Sequence, residues 1–380
     1  MTSTEQKPCI IIDNGTGYIK AGFSGTDMPA TNFASVVGRP KTQGIMVGTS
    51  TQEFYVGGQA LEKKGVLKLS YPVAHGVVES WDDMEKIWQY CFASELRVDP
   101  SEYNVLLTEA PLNPLKNREK MTEIMFSNFN VTGMYIAIQA VLSLYSAGKF
   151  TGIVYDSGDG VTHLVPIYDG YALPHSVKRM NLAGRDLTAY LQKLLLERGI
   201  KLDSSAEFEI VKDIKEKLGY VALDFKEEMA KYNSGGIGER SFEMPDGSVI
   251  NVGNEVFRCN EALFQPSLIG KEFDGADKLT FESIKSAEID VRKDLYENIV
   301  LSGGSTLITG LPERLTKEVK ALAPQNMSSR VKVYNPVDRK YSVFLGGSVL
   351  ASIPSFNQMW ITREEFQEQG PSIVHRKCMT

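Results

Sequence analysis

Cys9-Ile10-Ile11-Ile12-Asp13-Asn14-Gly15-Thr16-Gly17 decides how this chain is read, because Gly152-Ile153-Val154-Tyr155-Asp156-Ser157-Gly158-Asp159-Gly160 repeats its pattern far downstream. In each stretch an apolar run of buried-strand type delivers one aspartate and then a glycine-rich turn. Glycines let backbone N–H groups turn inward and approach a phosphate closely. An aspartate at the end of such a strand is placed to hold Mg2+, directly or through water. One copy alone is equally well explained by a tight hairpin. Two copies in related halves predict a phosphate clamp with one jaw per half, in a cleft between domains.

Outward from these loops, strands are expected at 9–13 and 18–23, and again at 152–156 and 161–168. Asp169-Gly170 and Asp246-Gly247 are hairpin turn signals. Ser80 is expected to cap a helix through Phe92 that turns Trp81, Met84, Trp88 and Cys91 to one face. Asn117 is expected to cap the next, with Met121, Ile124, Met125 and Phe129 inward. Between them a strand at 105–107 ends in the stiff loop Pro111-Leu112-Asn113-Pro114. Further helices are expected at 184–198, stopped by Gly199, and at about 205–223. A strand at 298–301 runs into Ser302-Gly303-Gly304-Ser305-Thr306, a third glycine-rich loop before a helix. Thr362-Arg363-Glu364-Glu365 is a capping box. Strands alternating with helices place the chain in the α/β class.

Composition narrows the function. With 41 basic and 47 acidic residues, the net charge of −6 opposes non-specific nucleic-acid binding. No basic tract and no run of membrane-spanning length is present, so neither nucleic acid nor membrane insertion is expected. Cys9, Cys91, Cys259 and Cys378 lack metal-site spacing and read as free thiols in a reducing compartment. MTSTEQKP has no apolar segment of signal-peptide type.

Taken in order, DNGTGYIKAGFSG, WDDMEKIW, LLTEAPLNP, NREKMTEIMF, DSGDGVTH, LAGRDLT, RKDLYENIVLSGG, RKYSVFLGGSVLAS and GPSIVHRKC give the chain an end-to-end resemblance to the actin family. The resemblance implies the actin/Hsp70/hexokinase-type fold, two α/β domains (four subdomains) around a nucleotide cleft. An outer domain would comprise residues 1–146 and 341–380, with a mobile loop at about 40–54. An inner domain would comprise residues 147–340. It further implies ATP or ADP with Mg2+ (Ca2+ able to substitute in vitro), head-to-tail filaments, and slow ATP hydrolysis that assembly accelerates. Cytoplasm and cytoskeleton follow as location. Partners would be other copies of the chain, profilin- and cofilin-like proteins, nucleators and myosin.

Residue by residue, the resemblance implies that Gly15, Thr16, Gly17 and Tyr18 offer the first phosphate jaw, with Lys20 adding a charge. Gly158, Asp159, Gly160 and Val161 offer the second. Asp13 and Asp156 hold Mg2+ through water. Gln139 positions the attacking water and His163 helps order it, so catalysis rests on positioning and charge. The adenosine side uses Gly184, Lys215, Glu216, Gly303, Gly304, Ser305, Leu307 and Lys340. Asn113 and Arg179 match a pair that gates phosphate escape, and His75 matches a histidine methylated in many members.

The edges depart from the family pattern. Leu307-Ile308 stands where an aromatic normally flanks the adenine, which removes stacking and implies faster nucleotide exchange. Leu115 replaces a lysine whose acidic partner position, Glu197, remains. Lys271 and Ala276 fall in a usually apolar lateral contact, where an unpaired charge would be costly. Thr49 replaces a methionine of the mobile loop, while Met46 remains. Glu5 beside Lys7, with Thr26 and Ser101, thins an acidic surface and implies weaker attraction for a basic partner loop. Pro354 alters a groove for partner helices. These changes suit an unconventional isoform. The alternative is a non-polymerising actin-related subunit of a larger complex.

Overall fold

Ile10, Ile11 and Ile12 are wholly buried in the strand Ile10–Asn14, as a continuous apolar run requires of a strand covered on both faces. The computed structural model describes residues 7–41 and 52–378. Glu5, the loop residues Ile45, Met46, Val47 and Thr49, and Thr380 lie outside the described residues. The chain divides into two units: Met1–Phe150 with Asp169–Pro174 and Tyr341–Thr380, and Thr151–Tyr168 with His175–Lys340.

In the first unit a six-stranded sheet runs in the order Ile361–Thr362, Gly133–Ile138, Asn104–Glu109, Ile10–Asn14, Tyr18–Phe23, Thr31–Ala34. The middle strands Gly133–Ile138, Asn104–Glu109 and Ile10–Asn14 are parallel. Tyr18–Phe23 returns antiparallel, setting Asp13 opposite Lys20. Trp88, Met84 and Ile87 are fully buried in the core beside this sheet, together with Cys91, Phe92 and Phe344. Ser80 caps Trp81–Tyr90 by accepting from the Asp83 N–H. The helix widens into a π-helical turn, Cys91–Leu96, and stops at Arg97, whose φ is 55°.

Asn117 does not cap its helix. The helix is Leu115–Ser127 and Pro114 occupies the cap position. The proline's fixed φ leads straight from the stiff loop into the first turn, so the helix begins before Asn117. The Asn117 amide donates instead to the Val78 carbonyl, at 3.4 Å.

In the second unit Gly152–Ser157 pairs antiparallel with Thr162–Tyr168 and parallel with Ile299–Ser302, which in turn pairs parallel with Val333–Tyr334. Asp169 and Gly170, which are grouped with the first unit, take φ values of 49° and 84°, the positive pair an Asp-Gly I′ turn requires. The helix Gly184–Glu197 ends as expected, with Gly199 at φ 88°. The next helix, Ser205–Leu218, stops five residues short of the expected 223. Gly219 turns extended there, packed so closely that a Cβ would lie 2.3 Å from the Lys215 carbonyl oxygen. Val221 and Ala222 looked helical because they are apolar. They are buried in an extended segment instead, tied by the Val221 N–H to the Thr309 carbonyl at 2.8 Å.

Lys271 has polar partners within its own unit. Its ammonium donates to the Asn181 carbonyl at 3.0 Å and lies 3.6 Å from the Asp186 carboxylate, so the charge is compensated within its own unit. All four cysteines are free and buried. The capping box at Thr362 forms: its hydroxyl accepts from the Glu365 N–H while the Glu365 carboxylate accepts from the Thr362 N–H.

One close packing is directly testable. A Cβ on Gly346, in the helix Ser342–Ala351, would lie 1.8 Å from the Leu142 carbonyl oxygen of the helix Gln139–Ser146. Alanine gains ~1 kcal/mol of helix propensity over glycine, but overpacking against backbone that cannot rotate away costs about 3 kcal/mol or more. Gly346→Ala is therefore expected to lower the thermal unfolding midpoint by several degrees. Gly347→Ala, whose Cβ would meet side-chain methyls and no backbone, the nearest on Ile11 at 3.0 Å, is expected to cost much less. Equal midpoints for the two variants would refute the packing argument.

Candidate functional site

In the first unit the chemistry gathers at the C-terminal ends of parallel strands, where open α/β sheets place their ligands. Asp13 is almost wholly buried there, and a carboxylate out of water needs donors. It receives three: the Lys20 ammonium at 2.8 Å, the Thr108 hydroxyl at 2.9 Å and the Gln139 amide Nε2 at 2.9 Å. Sheet register explains the set. Lys20 faces Asp13 across the hairpin. Thr108 follows Leu107, the partner of Ile12. Gln139 is the first residue of the helix that leaves Gly133–Ile138.

Asn14 locks the same corner. Its N–H donates to the Thr108 hydroxyl at 2.9 Å and its amide donates to the Thr108 carbonyl at 3.0 Å. Its side-chain oxygen accepts from the Trp88 indole at 3.0 Å. Gly15 then has to be glycine, because a Cβ would stand 2.4 Å from the Tyr18 carbonyl oxygen. Gly17 accepts from the Ser35 N–H at 3.0 Å, and the Thr16 hydroxyl accepts from the Gly76 N–H at 3.0 Å. His75, just before Gly76, takes a positive φ of 49°. Nearby in sequence, Asn113 donates to the Glu109 carboxylate at 2.9 Å, and Arg118 lies 2.9 Å from the same group. Burial pushes the Glu109 carboxyl up while the Arg118 charge opposes the rise.

In the second unit the glycine-rich loop is held chiefly through main-chain atoms. The Gly158 carbonyl accepts from the Ser305 hydroxyl at 2.6 Å and from the Gly184 N–H at 3.1 Å. The Asp159 carbonyl accepts from the Arg185 N–H at 2.9 Å, and the two side chains form an ion pair at 2.9 Å. Lys215 is buried and donates to the Gly184 carbonyl at 2.6 Å and the Thr188 hydroxyl at 2.9 Å. Burial holds its ammonium below the usual lysine range. Gly303, at φ 86°, leaves only 2.3 Å between a notional Cβ and the Ser157 carbonyl oxygen. Gly160 and Val161 are buried, and Gly304, Glu216, Leu307 and Lys340 are exposed on this unit.

Asp156 pairs with His163 across the hairpin and with Ser302 in the parallel neighbour. Arg179 sits opposite His163 on Lys178–Met180. His163 is buried, and burial, followed by the Arg179 charge, pushes its imidazole down to about 3. The ring is therefore neutral at ordinary pH. It offers one hydrogen-bond donor and one acceptor, and no proton to transfer.

The fold thus joins Asp13, Lys20 and Gln139 in one unit, and Gly158, Asp159, Gly184, Lys215 and Ser305 in the other. Gln139 and His163 belong to different units. Sequence reasoning missed Thr108, Asn14 and Arg185. Thr108 carried a faint signal as a polar residue ending an apolar strand run, but nothing in the sequence names its partners. Among the described residues no cluster of three or more His, Cys, Asp or Glu side chains is placed to hold a metal ion. Asp13, held by the Thr108 hydroxyl, the Gln139 amide and the Lys20 ammonium, suits a hard cation that keeps most of its own water, as Mg2+ does.

Compared with known protein families, the chain matches the family model described as Actin over residues 4–379.

Two variants probe this geometry. Thr108→Val removes the acceptor of the buried Asn14 N–H and a donor to Asp13, so it is expected to cost ~1–3 kcal/mol of stability, with Thr108→Ser close to wild type in chemical unfolding. A Thr108→Val protein as stable as wild type would contradict the network. For His163, the unfolded imidazole takes its proton near the ordinary 6.5 and the folded one only near 3. The unfolded state therefore binds more protons in that window, and this contribution to stability is lost as pH falls below about 6.5. His163→Gln is expected to lose less stability than wild type between about pH 7 and pH 5. Parallel pH curves would reject the assignment.

Proposed function

Because the chain belongs to the actin family and has its α/β fold, we propose that it binds ATP with Mg2+, assembles head to tail into filaments, and hydrolyses the bound ATP slowly, faster once assembled. The observation that carries this reading is the buried Asp13–Lys20–Thr108–Gln139 network. An ion pair beside a glycine-rich turn at the C-terminal end of a parallel strand supplies the groups that a phosphate and a hydrated cation need.

In this reading the backbone N–H groups of residues 16–18 and 159–161 receive the phosphates, since the Gly15 and Gly158 N–H groups donate to the Asp13 and Val161 carbonyls at 3.1 and 3.2 Å, and Lys20 adds positive charge. Asp13 and Asp156 receive the hydrated cation, which neutralises phosphate charge when bound. Gln139 donates Nε2 to Asp13 and to the Asn14 carbonyl, at 2.9 and 3.3 Å. That fixes the amide plane and leaves Oε1 to accept from a water. An amide takes up no proton, so Gln139 orients the nucleophile and does not act as its base. His163, neutral and buried, orders water in the same passive way. Catalysis by positioning alone is slow, as the proposed activity requires. Gly184, Lys215, Glu216, Gly303, Gly304, Ser305, Leu307 and Lys340 serve the adenosine. The proposed outer domain is residues 1–146 with 341–380, and the proposed inner domain is residues 147–340.

The internally compensated Lys271 leaves the proposed filament surface without an uncompensated charge at that position. Profilin- and cofilin-like proteins, nucleators and myosin are the proposed partners, with the contacts at Thr26, Ser101 and Pro354 weakened. The cytoskeleton is the proposed location. Among the described residues no helix is long and apolar enough to cross a membrane.

The test is pelleting of Mg-ATP-loaded protein after salt addition, with negative-stain imaging. Two-stranded filaments are expected. Persistent monomer with ATP bound would replace this reading with that of a non-polymerising subunit. Gln139→Ala is expected to bind ATP and assemble while slowing phosphate production by about 10- to 100-fold. Hydrolysis at the wild-type rate would remove Gln139 from the mechanism.

A further inference from the structure

One buried guanidinium in the second unit stitches together two backbone segments that continue directly from the proposed adenosine contacts. The segment after Lys215 and Glu216 meets the segment after Leu307 side by side. Tyr220 bridges Thr309 in parallel, and the Val221 N–H donates to the Thr309 carbonyl at 2.8 Å. Gly310, at φ 84°, permits the approach, since a Cβ there would lie 2.3 Å from the Val221 carbonyl oxygen. From the helix that follows, Leu311–Leu322, Arg314 reaches back and donates Nη1 to the Ala222 carbonyl at 2.7 Å.

The same guanidinium forms a two-pronged pair with Glu261 of the helix Glu255–Glu261, with Nη1 and Nη2 each 3.0 Å from a carboxylate oxygen. Its Nε donates to Glu318 at 2.7 Å, and its Cζ lies over the Phe264 ring, 4.7 Å from the ring centre. Gln265 donates to Glu261 at 2.8 Å. Glu261 is wholly buried and Arg314 nearly so. A planar fork held this way fixes angles as well as distances, which a lysine ammonium cannot reproduce. On the exposed side Lys317 joins the same elements loosely, donating to the Leu223 carbonyl at 3.0 Å and lying 3.2 Å from Asp224.

We propose that Arg314 and Glu261 are positioning residues for the base side of the nucleotide site, holding the Lys215–Glu216 helix end and the 303–309 loop at the spacing that sets how long nucleotide stays bound. The inference rests on the reading above that these residues serve the adenosine. Neither Arg314 nor Glu261 is among the residues proposed to receive the phosphates, so slack in the pair loosens nucleotide retention and leaves the hydrolytic step alone. Lys317, exposed and adjustable, contributes little.

The experiment follows release of a fluorescent ATP analogue from the full chain in Mg2+, chased with unlabelled ATP. Arg314→Lys and Glu261→Gln are expected to release it ~10-fold faster, with hydrolysis of ATP that remains bound changed by no more than about twofold. Lys317→Ala is expected to match wild type. Release at the wild-type rate from folded Arg314→Lys and Glu261→Gln overturns the proposal, as does an equal loss of hydrolysis and retention. Should neither variant melt cooperatively, hydrogen exchange on the wild-type chain decides. Removing nucleotide is expected to raise exchange at the Val221 and Arg314 amides together, and unchanged exchange at both overturns the proposal. A wild-type chain that fails to hold the analogue overturns the nucleotide-site reading itself, and this inference with it. Retention by wild type with unaltered variants overturns this inference alone.

Discussion

A carboxylate that has been taken out of water is the constraint on which the first unit is organised. Asp13 follows three consecutive isoleucines within one strand and is carried into the interior with them. An ionised group there is tolerated only if neighbouring elements supply donors. The hairpin partner supplies Lys20, the parallel neighbour Thr108, and the next crossover helix Gln139. Each donor comes from a different element, so a shift in any one strand breaks the set. The network therefore reports correct sheet assembly, and assembly in turn orients the one amide proposed to hold a water.

The second glycine-rich loop reaches a similar shape by different means. Its aspartate pairs across the hairpin with a histidine rather than a lysine. The loop is anchored by main-chain oxygens, with Ser305 and Gly184 converging on Gly158 and Lys215 bound behind them. Close backbone approach replaces charge pairing, which is why Gly303 and Gly184 leave no room for a Cβ. Burial has opposite uses in the two units. It makes Asp13 demand cations and hydroxyls, and it keeps His163 neutral and Lys215 fixed against carbonyl oxygens. Such networks are strong when complete and costly when any member is lost.

Period and punctuation made much of the fold legible. Apolar runs bounded by Asp-Gly and Gly-rich turns located the paired strands, and Ser80, Gly199 and the Thr362 box marked helix ends correctly. The misreadings have a common cause. Asn117 has the right side chain for a cap, but the proline before the helix had already set the backbone. Val221 and Ala222 extend an apolar pattern past Leu218, yet their burial comes from the Thr309 segment and not from a helix face. Local pattern identifies that a residue is buried without saying which element buries it.

The sequence alone determined the class of fold, the two Asp-Gly loops, the residue types available to phosphate and cation, and the family to which the chain belongs. Those follow from chemistry carried within a few neighbouring residues. Tertiary structure alone decided that Thr108 and Asn14 complete the Asp13 corner, that Lys271 is compensated by Asn181 and Asp186, and that Arg314 joins segments far apart in the chain. Hydrogen bonds and ion pairs depend on ångström distances between elements, and those distances are set by packing the whole sheet and its helices, not by any one stretch of chain.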